Sequence, residues 1–461
     1  MAKLDLKLVN GRLATTAGVH AVDIGIKAGR IAAIAEWGDL PGAQEVIDVA
    51  NRVVMPGGID THVHGGDAGG KMGFDFGDTS RAAVLGGVTT IVDMPMQMPP
   101  TTDPASMQVK IDAIGPKAFV DFALWATCKP GGIVDLDVIE PLRDKGVVGF
   151  KLVMQASVEG IMPLHKDGAL LEALPRITQA GLPTAIHAES QDMIAYLEEK
   201  LKKEGRSDPR AFLDCHPITT ELEAIHRLLF IAEQTKSRVH IAHCSIAEGI
   251  DLVEEARNRG MDVSVETCPH YLVFDDSIFD KKGVLAKLSP ALRDHDHVES
   301  LWQRLRDGKI DNVASDHVPY PLAMKEGTIW EAAAGIPGIQ TMFPILVYEG
   351  IKKGRINLPQ LVRVMSEGPA KVAGLYPRKG SALIGADADF AVFDLEQEST
   401  VEVDEQVGIE WTLYEGMSVV YPELVLLRGK RVVDGGKVVG GKGYGEFCTP
   451  VLADDTGGSF E

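Results

Sequence analysis

Two histidines, His62 and His64, stand two residues apart at the end of the stretch "VVMPGGIDTHVH", with the carboxylate of Asp60 two residues before them. Side chains two residues apart in a strand point to the same face. Two imidazoles on one face can bind one divalent metal ion. The pair therefore predicts part of a metal site, although one histidine alone is more often a hydrogen-bonded core residue.

Four more polar residues occur near the ends of other apolar stretches. They are Lys151 in "GFKLVM", His187 in "AIHAES", His243 in "HIAHCS" and Asp316 in "ASDHV". Each has an ordinary structural interpretation by itself, such as a lysine that reaches solvent or an aspartate that caps a helix. Four histidines, a lysine and an aspartate near five strand ends together favour one shared site.

Strand-like apolar stretches occur eight times in the middle of the chain, separated by stretches with a helical pattern. They are residues 53–59, 89–95, 119–127, 147–154, 183–189, 238–245, 262–269 and 311–318. Eight βα units predict an α/β fold, a (β/α)₈ TIM barrel, over residues 53–379, and an open doubly wound sheet is the alternative. The carboxyl ends of barrel strands share one face, which would bring the six polar residues together.

Both ends of the chain have the short strands and turns of a β domain. Examples are "LDLKLVNGRL" near the start and "LVLLRGKRVVDGGKVV" near the end. Neither end is large enough to fold alone. We therefore expect one small β-sandwich domain that residues 1–52 and 380–461 form together.

Composition argues against several classes of function. The 461 residues carry a formal charge of −20 with no basic cluster, which disfavours binding to nucleic acid or to an anionic membrane. The five cysteines include no CxxC pair, as in reduced cytosolic proteins. Since no apolar run is long enough for a signal core or a membrane span, we expect a cytoplasmic protein.

The motifs together resemble those of the amidohydrolase superfamily, and within it the cyclic amidohydrolases: hydantoinases, allantoinases, dihydropyrimidinases and dihydroorotases. The similarity covers essentially the whole chain. The motifs that carry it are "PGGIDTHVH", "GGVTTIVDMP", "GFKLVM", "AIHAES", "HIAHCS", "ETCPHYL", "ASDHVPY" and "IGADADFAVFD". The resemblance implies a (β/α)₈ barrel with a small β-sandwich from both termini, in agreement with the strand pattern.

The resemblance also implies two divalent metal ions per chain, with zinc as the expected metal. The matching ligand positions are His62, His64 and Asp316 for one ion, His187 and His243 for the other, and Lys151 between them. Lys151 would be N6-carboxylated by CO₂. A carbamate is an anion with one oxygen for each ion, whereas an ammonium group would repel both.

Further roles follow from the same resemblance. Asp316 would be the catalytic base that takes a proton from the attacking water and delivers it to the leaving ring nitrogen. Main-chain groups at Ser289 in "KLSPALRD" and near Ala334 in "AAAGIPG" would bind the cyclic imide. The structural alternative for Ser289 is a turn residue before a proline.

The ring itself is less clearly indicated. No arginine follows His64, unlike in dihydroorotases, and Ala156 stands where D-hydantoinases and dihydropyrimidinases have a tyrosine. "ASVEGIM" is similar to L-hydantoinases, whereas "ETCPHYL" is similar to allantoinases. The expected reaction is the hydrolysis of allantoin to allantoate, and an L-type hydantoinase acting on 5-substituted hydantoins is the alternative.

Two alternatives belong to other classes. A non-catalytic, dihydropyrimidinase-like scaffold protein would share the fold but would usually lack the metal ligands, and all six are present here. A deaminase-like enzyme with one metal ion would not need Lys151. The expected partners are a small cyclic ureide or imide and further copies of the chain, since relatives are commonly tetramers.

Overall fold

The two ends of the chain form one sheet and the middle forms a barrel in a computed structural model that describes residues 3–67, 73–129, 135–155 and 162–451. Ala156 and most of "ASVEGIM" lie outside these residues. The first strands are β1 (Leu4–Thr15), β2 (Gly18–Lys27), β3 (Arg30–Ala35), β4 (Ala43–Asp48) and β5 (Val53–Pro56).

Eight parallel strands follow, and each neighbours the next one in the sequence. They are β6 (Gly58–Val63), β7 (Val88–Asp93), β8 (Asp121–Ala126), β9 (Gly149–Val153), β10 (Thr184–His187), β11 (Val239–Ile241), β12 (Val263–Thr267) and β13 (Asn312–Val313). Nearly every residue in them is buried, because a parallel sheet is covered on both faces. That double burial explains their continuous apolar sequences.

The eight-stranded sheet closes into a barrel where β6 meets the segment that follows β13. Val63 forms a parallel bridge with His317, and the His64 amide donates to the His317 carbonyl at 2.9 Å. The Asp60 carboxylate also accepts from the Ser315 amide at 3.0 Å. The predicted barrel is therefore confirmed, and the open doubly wound sheet is wrong.

Helices cover the barrel and connect its strands. They are α1 (Phe76–Leu85), α2 (Pro104–Ile114), α3 (Ile139–Lys145), α4 (Asp167–Gln179), α5 (Gln191–Lys203), α6 (Ala211–Cys215), α7 (Ile218–Thr235), α8 (Ala247–Asn258), α9 (Pro269–Val273), α10 (Ile278–Lys282), α11 (His295–Arg306), α12 (Ile339–Leu346), α13 (Leu358–Val362) and α14 (Gly368–Val372). No helix in the described part of the chain is long and apolar enough to cross a membrane.

The C-terminal strands complete the terminal sheet. They are β14 (Phe390–Phe393), β15 (Ser399–Thr400), β16 (Ser418–Val419), β17 (Leu424–Leu427), β18 (Lys430–Asp434) and β19 (Lys437–Val438). β15 pairs with β16 apart from the rest, and the others join β1–β5 in the order β19-β18-β17-β14-β5-β1-β2-β3, with β4 beside β1. This nine-stranded sheet surrounds a separate apolar core, which includes Leu8, Ile26, Phe390 and Leu426. The β domain expected from both termini is confirmed.

One predicted strand divides between the two sheets. Residues 53–59 were expected to form a single barrel strand, but Val53–Pro56 pairs with β14 in the terminal sheet and the barrel begins at Gly58. A Cβ atom at Gly57 would lie 2.1 Å from Thr89 Oγ1, so the crossing point has no room for a side chain. The domain bounds 1–52 plus 380–461 and 53–379 stay a prediction.

A buried lysine joins the barrel to the terminal sheet. Lys379 Nζ lies 2.5 Å from Asp121 at the start of β8, 2.7 Å from Asp389 and 3.0 Å from Asp387. Arg428 pairs with the other oxygen of Asp121. The three aspartates are close enough to hold a cation, and the lysine ammonium occupies that role.

Replacing Lys379 with methionine is expected to lower the free energy of unfolding by about 3–5 kcal/mol, because buried carboxylates lose their partner. Urea unfolding followed by circular dichroism measures the change. Lys371→Met is the matched control, since Lys371 is exposed, pairs with Glu367 one turn away and lies over the Tyr376 ring. Equal midpoints for the two variants would contradict a role for Lys379 in joining the domains.

Candidate metal centre

The barrel places all six predicted ligands in one cavity. His62 lies in β6, Lys151 in β9 and His187 at the end of β10, while His64, His243 and Asp316 follow the last residues of β6, β11 and β13 by one, two and three positions. The six side chains line a cavity of about 360 Å³ together with Ser289 and Ala334. The structure therefore brings every predicted site residue to the carboxyl-end face of the barrel.

The first group of donor atoms surrounds Asp316. Its Oδ1 lies 3.3 Å from His62 Nε2 and 3.4 Å from His64 Nε2. One donor atom from each of these buried residues falls within 4.8 Å of the others, which suits a single shared cation. His64 Nδ1 is buried without a hydrogen-bond partner among the described residues.

The second group is formed by His187 and His243. Their facing nitrogens, His187 Nδ1 and His243 Nε2, are 3.1 Å apart, and the rings pack edge to face. The Lys151 Nζ lies 3.5 Å from His62 Nε2, so the lysine reaches the first group. Lys151 therefore extends into the same cavity from its own strand.

Two buried carboxylates fix the orientation of the histidines. Glu266 accepts from His62 Nδ1 at 2.6 Å, and Glu189 accepts from His187 Nε2 at 3.0 Å. In both rings the remaining nitrogen faces the cavity with its lone pair. Histidines that bind metals commonly donate their other N–H to a carboxylate in this way. The oriented histidines therefore form a set of donor atoms that fits divalent metal ions.

Burial keeps the imidazoles in the form that binds metal. It lowers the pKa of His62 to about 4, helped by the nearby Lys151 ammonium. Burial lowers the pKa of His243 well below its ordinary value for the same two reasons. Burial alone would raise the pKa of Asp316, but the surrounding imidazoles outweigh it and hold that pKa well below its usual range.

Two of the candidate ligands have a strained backbone. His243 has φ +36° and Asp316 has φ +46°, in the left-handed region that non-glycine residues rarely adopt. The Glu266 carboxylate accepts from the His243 amide at 3.1 Å and helps to maintain that conformation. Strain of this kind is concentrated at functional sites, where the surrounding structure compensates for it.

Glu266 was not predicted from the sequence, although it connects much of the site. Besides His62 and the His243 amide, its carboxylate accepts from His240 Nε2 at 3.1 Å and from Thr61 Oγ1 at 3.1 Å. A charged residue within the apolar strand "VSVETCP" was the available signal. His240 therefore has a supporting role as a hydrogen-bond donor to Glu266.

Replacing Glu266 with glutamine is expected to weaken metal binding by about 10–100-fold while the fold is retained, because His62 loses the acceptor that sets its tautomer. Competition with a chelator, read out as metal retained per chain, measures the loss. Glu254→Gln on α8 is the control, since Glu254 pairs with Arg257 near the surface. Unchanged metal retention in the Glu266 variant would refute this role.

The expected substrate contacts join the same network. Ser289 Oγ donates to Glu189 Oε2 at 2.5 Å, so the carboxylate that orients His187 also holds Ser289. Gln155 contacts His187 Nε2 at 3.0 Å. Ala334 is exposed and lines the cavity. Gln155 and Glu189 were not predicted, although Glu189 lies two residues after His187.

His317 lies outside the ligand group. Its Nδ1 accepts from the Gly338 amide at 3.0 Å and from the Ile339 amide at 3.3 Å, at the start of α12. Burial lowers its pKa to about 3, so the ring is a neutral acceptor. The residue next to Asp316 therefore supports the backbone, in keeping with its opposite direction in the strand.

Comparison with known proteins identifies relatives along nearly the whole chain. Residues 53–441 match the model of the amidohydrolase family. An L-hydantoinase of Paenarthrobacter aurescens is 35% identical over 96% of this chain and 98% of its own length. An allantoinase of Escherichia coli strain K12 is 36% identical over 84% of this chain and 85% of its own length.

A solved structure shows the same similarity in three dimensions. The structure described as L-hydantoinase (dihydropyrimidinase) from Arthrobacter aurescens superposes with a TM-score of 0.93 at 34% sequence identity. The match covers 97% of this chain and 100% of that chain. The barrel and the terminal sheet are therefore both part of the shared fold.

Proposed function

This chain belongs to the amidohydrolase family and is a hydrolase of cyclic amides, and we propose that it opens the five-membered ring of a cyclic ureide. The observation that carries the proposal is the convergence of His62, His64 and Asp316 with His187 and His243 in one cavity. Members of the family bind divalent metals, and the donors here are of the types that zinc prefers.

The metal ligands in this proposal are the six residues of the cavity. His62, His64 and Asp316 would hold one ion, His187 and His243 the second, and Lys151 both as a carbamate. Burial lowers the pKa of Lys151 to about 8, although Glu266 and Asp316 oppose it. A neutral amine, the form that reacts with CO₂, is therefore accessible near neutral pH.

Divalent ions at this position would lower the pKa of a bound water and polarise the carbonyl of the ring. The chain itself supplies the proton transfer. Asp316 is a carboxylate that lies in the cavity, so it can accept the proton of the attacking water and return it to the leaving ring nitrogen. Ser289 and the main chain at Ala334 would hold the ring against that carboxylate.

The cavity wall favours an apolar substituent on the ring. Met96, Val153, Met162, Val318 and Tyr320 belong to one apolar cluster, and all five line the cavity. A hydrocarbon or aromatic group gains free energy against such a wall, whereas a ureido group would lose hydrogen bonds to water. A 5-substituted hydantoin therefore becomes the first candidate, ahead of allantoin.

Allantoin is the second candidate, supported by polar groups elsewhere in the cavity. Gln155 and Glu198 line it and could bind a ureido substituent. The allantoinase of Escherichia coli is also as similar in sequence as the L-hydantoinase. The two substrates have the same ring and differ only in the group that meets these side chains.

The test is ring opening by metal-loaded protein on a panel of allantoin, L- and D-5-substituted hydantoins, dihydrouracil and dihydroorotate, with bound metal counted on the same sample. Turnover of an aromatic hydantoin, with allantoin inert, is the expected result. Turnover of allantoin alone would make this an allantoinase. Two bound ions without turnover of any ring on the panel would contradict the proposed substrate class.

We also propose that the chain forms a homo-oligomer, with the tetramer as the expected state, in the cytoplasm. Exposed apolar side chains on neighbouring helices support an interface: Leu171 on α4, Tyr196 on α5 and Phe230 on α7. Analytical ultracentrifugation would measure the state, and a monomer at micromolar concentration would contradict it.

A further inference from the structure

A four-residue segment forms the side of the cavity that faces the metal centre. This segment, residues 332–335 or Ala332-Ala333-Ala334-Gly335, is here called the wall segment. All four residues line the cavity, and the next residue, Ile336, accepts from the Val318 amide at 2.9 Å. The wall segment therefore leads directly into a residue that pairs with Val318, close to Asp316 in the chain.

Two lysine ammonium groups bind the carbonyls of the wall segment. Lys287 Nζ donates to the Ala332 carbonyl at 2.6 Å. Lys325 Nζ donates to the Ala333 carbonyl at 2.8 Å and to the Gly335 carbonyl at 3.0 Å. Three of the four carbonyls of the segment are thereby turned towards lysines.

The amides of the same three residues are also bound. The bonds run from Ala332 to the Thr328 carbonyl at 3.0 Å, from Ala333 to Met324 at 2.8 Å and from Gly335 to Lys287 at 3.0 Å. In the described part of the chain, neither the N–H nor the carbonyl of Ala334 has a partner, and Ala334 is exposed. Its two main-chain polar groups are therefore free for a ligand.

The lysines are built into the structure. Lys325 is 1% exposed, and its third N–H donates to the Lys287 carbonyl at 2.9 Å, so all three N–H groups are used. Lys287 also donates to the Ile329 carbonyl at 2.6 Å. An ammonium group is the one side-chain group that offers three donors from a single atom. Neutral side chains of similar length could not bind all three carbonyls.

Gly335 shows how tightly the segment is placed. It has φ +142°, and a Cβ atom there would lie 2.8 Å from the Val318 Cβ. The segment therefore has no space to move towards Val318, two residues after Asp316. Its position depends on the lysines on its other side.

We propose that Lys325 and Lys287 are positioning residues for ring opening, which hold the wall segment so that only the Ala334 main-chain groups face the substrate. This inference rests on the proposed function. A cyclic amide presents an N–H and a carbonyl, and the Ala334 carbonyl and N–H are their complements. Because the lysines act through the backbone, they touch neither the reacting atoms nor the metal ligands.

The test compares Lys325→Met with wild type in the full-length, metal-loaded protein. Amide hydrogen exchange in the peptide that contains residues 332–335 is expected to become about tenfold faster or more, while exchange in the barrel strands stays the same. For the ring that the wild type turns over best, KM is expected to rise about tenfold with kcat within about threefold. Two metal ions per chain should remain.

Lys352→Met is the control. Lys352 also donates to a carbonyl, that of Leu395, but it is not among the residues that line the cavity. Lys287→Met is the second variant and should show the same two effects if Lys325→Met fails to fold. Unchanged exchange at residues 332–335 would overturn the proposal. So would equal losses in kcat and kcat/KM with lost metal, which a purely structural role predicts.

The two proposals fail separately in this design. The exchange measurement needs no substrate, so it decides whether the lysines hold the wall segment even if every ring on the panel proves inert. If the protein hydrolyses no ring on the panel, the proposed substrate is wrong. Faster exchange with an unchanged KM would contradict the positioning role, and it would not affect the proposal about the substrate ring.

Discussion

Replacing Asp316 with asparagine is expected to reduce kcat by about 10²–10⁴-fold, the contribution of a positioned acid–base group. Asparagine has nearly the same shape and keeps one oxygen at the position that faces His62 and His64. It cannot accept a proton at neutral pH. The chain would then lack the group that we propose takes the proton from water and returns it to the ring nitrogen.

Steady-state kinetics on the preferred ring measure this effect, with bound metal counted on the same preparation. Asp144→Asn is the matched control, because Asp144 is largely exposed and pairs with its neighbour Arg143. Near-wild-type turnover of the Asp316 variant would exclude the base role. A large loss of turnover with both ions retained would separate proton transfer from metal binding.

Replacing Lys151 with alanine is expected to remove bound metal and to lower turnover by more than the roughly 100-fold that supporting residues cause. The physical reason is that the proposed carbamate of Lys151 would supply the anion between the two histidine groups, and alanine cannot form it. Short carboxylic acids such as acetate should restore part of both the metal content and the activity, since they fit the space and supply two oxygens.

Carbon-13 NMR of wild-type protein equilibrated with labelled bicarbonate provides an independent readout of the carbamate. Lys145→Ala at the end of α3 is the control, since it removes a surface lysine close in sequence. One ion per chain and an active Lys151 variant would instead favour a deaminase-like site with one metal. A Lys151 variant with full metal content would contradict the bridging role.

The sequence was sufficient to predict the barrel because each recurring apolar stretch indicates a buried strand. Seven of the eight apolar stretches overlap β7–β13 and the first spans β5 and the start of β6, while the polar exceptions at their ends, such as His187 and Asp316, lie in one cavity. A polar side chain at the end of a buried strand is costly unless a site requires it. The residue types therefore identified the chemistry before the contacts were known.

Local patterns did not show where one sheet ends and the other begins. Residues 53–59, which run from Val53–Pro56 into the start of Gly58–Val63, form one continuous apolar stretch in the sequence. Only the pairing partners, β14 on one side and β7 on the other, assign them to different sheets. Both halves are buried, so hydrophobicity alone does not distinguish them.

Tertiary structure decided which residues support the site. Glu266 is 204 residues from His62, and Lys325 acts on carbonyls in a loop, so no spacing rule relates them to the metal centre. Such contacts depend on how the strands pack and how the loops fold back. The sequence by itself determined the barrel and the six candidate ligands, because burial and residue type are local properties. The orienting carboxylates and the free Ala334 peptide groups emerged only from the folded chain, because hydrogen-bond partners are set by distance in space.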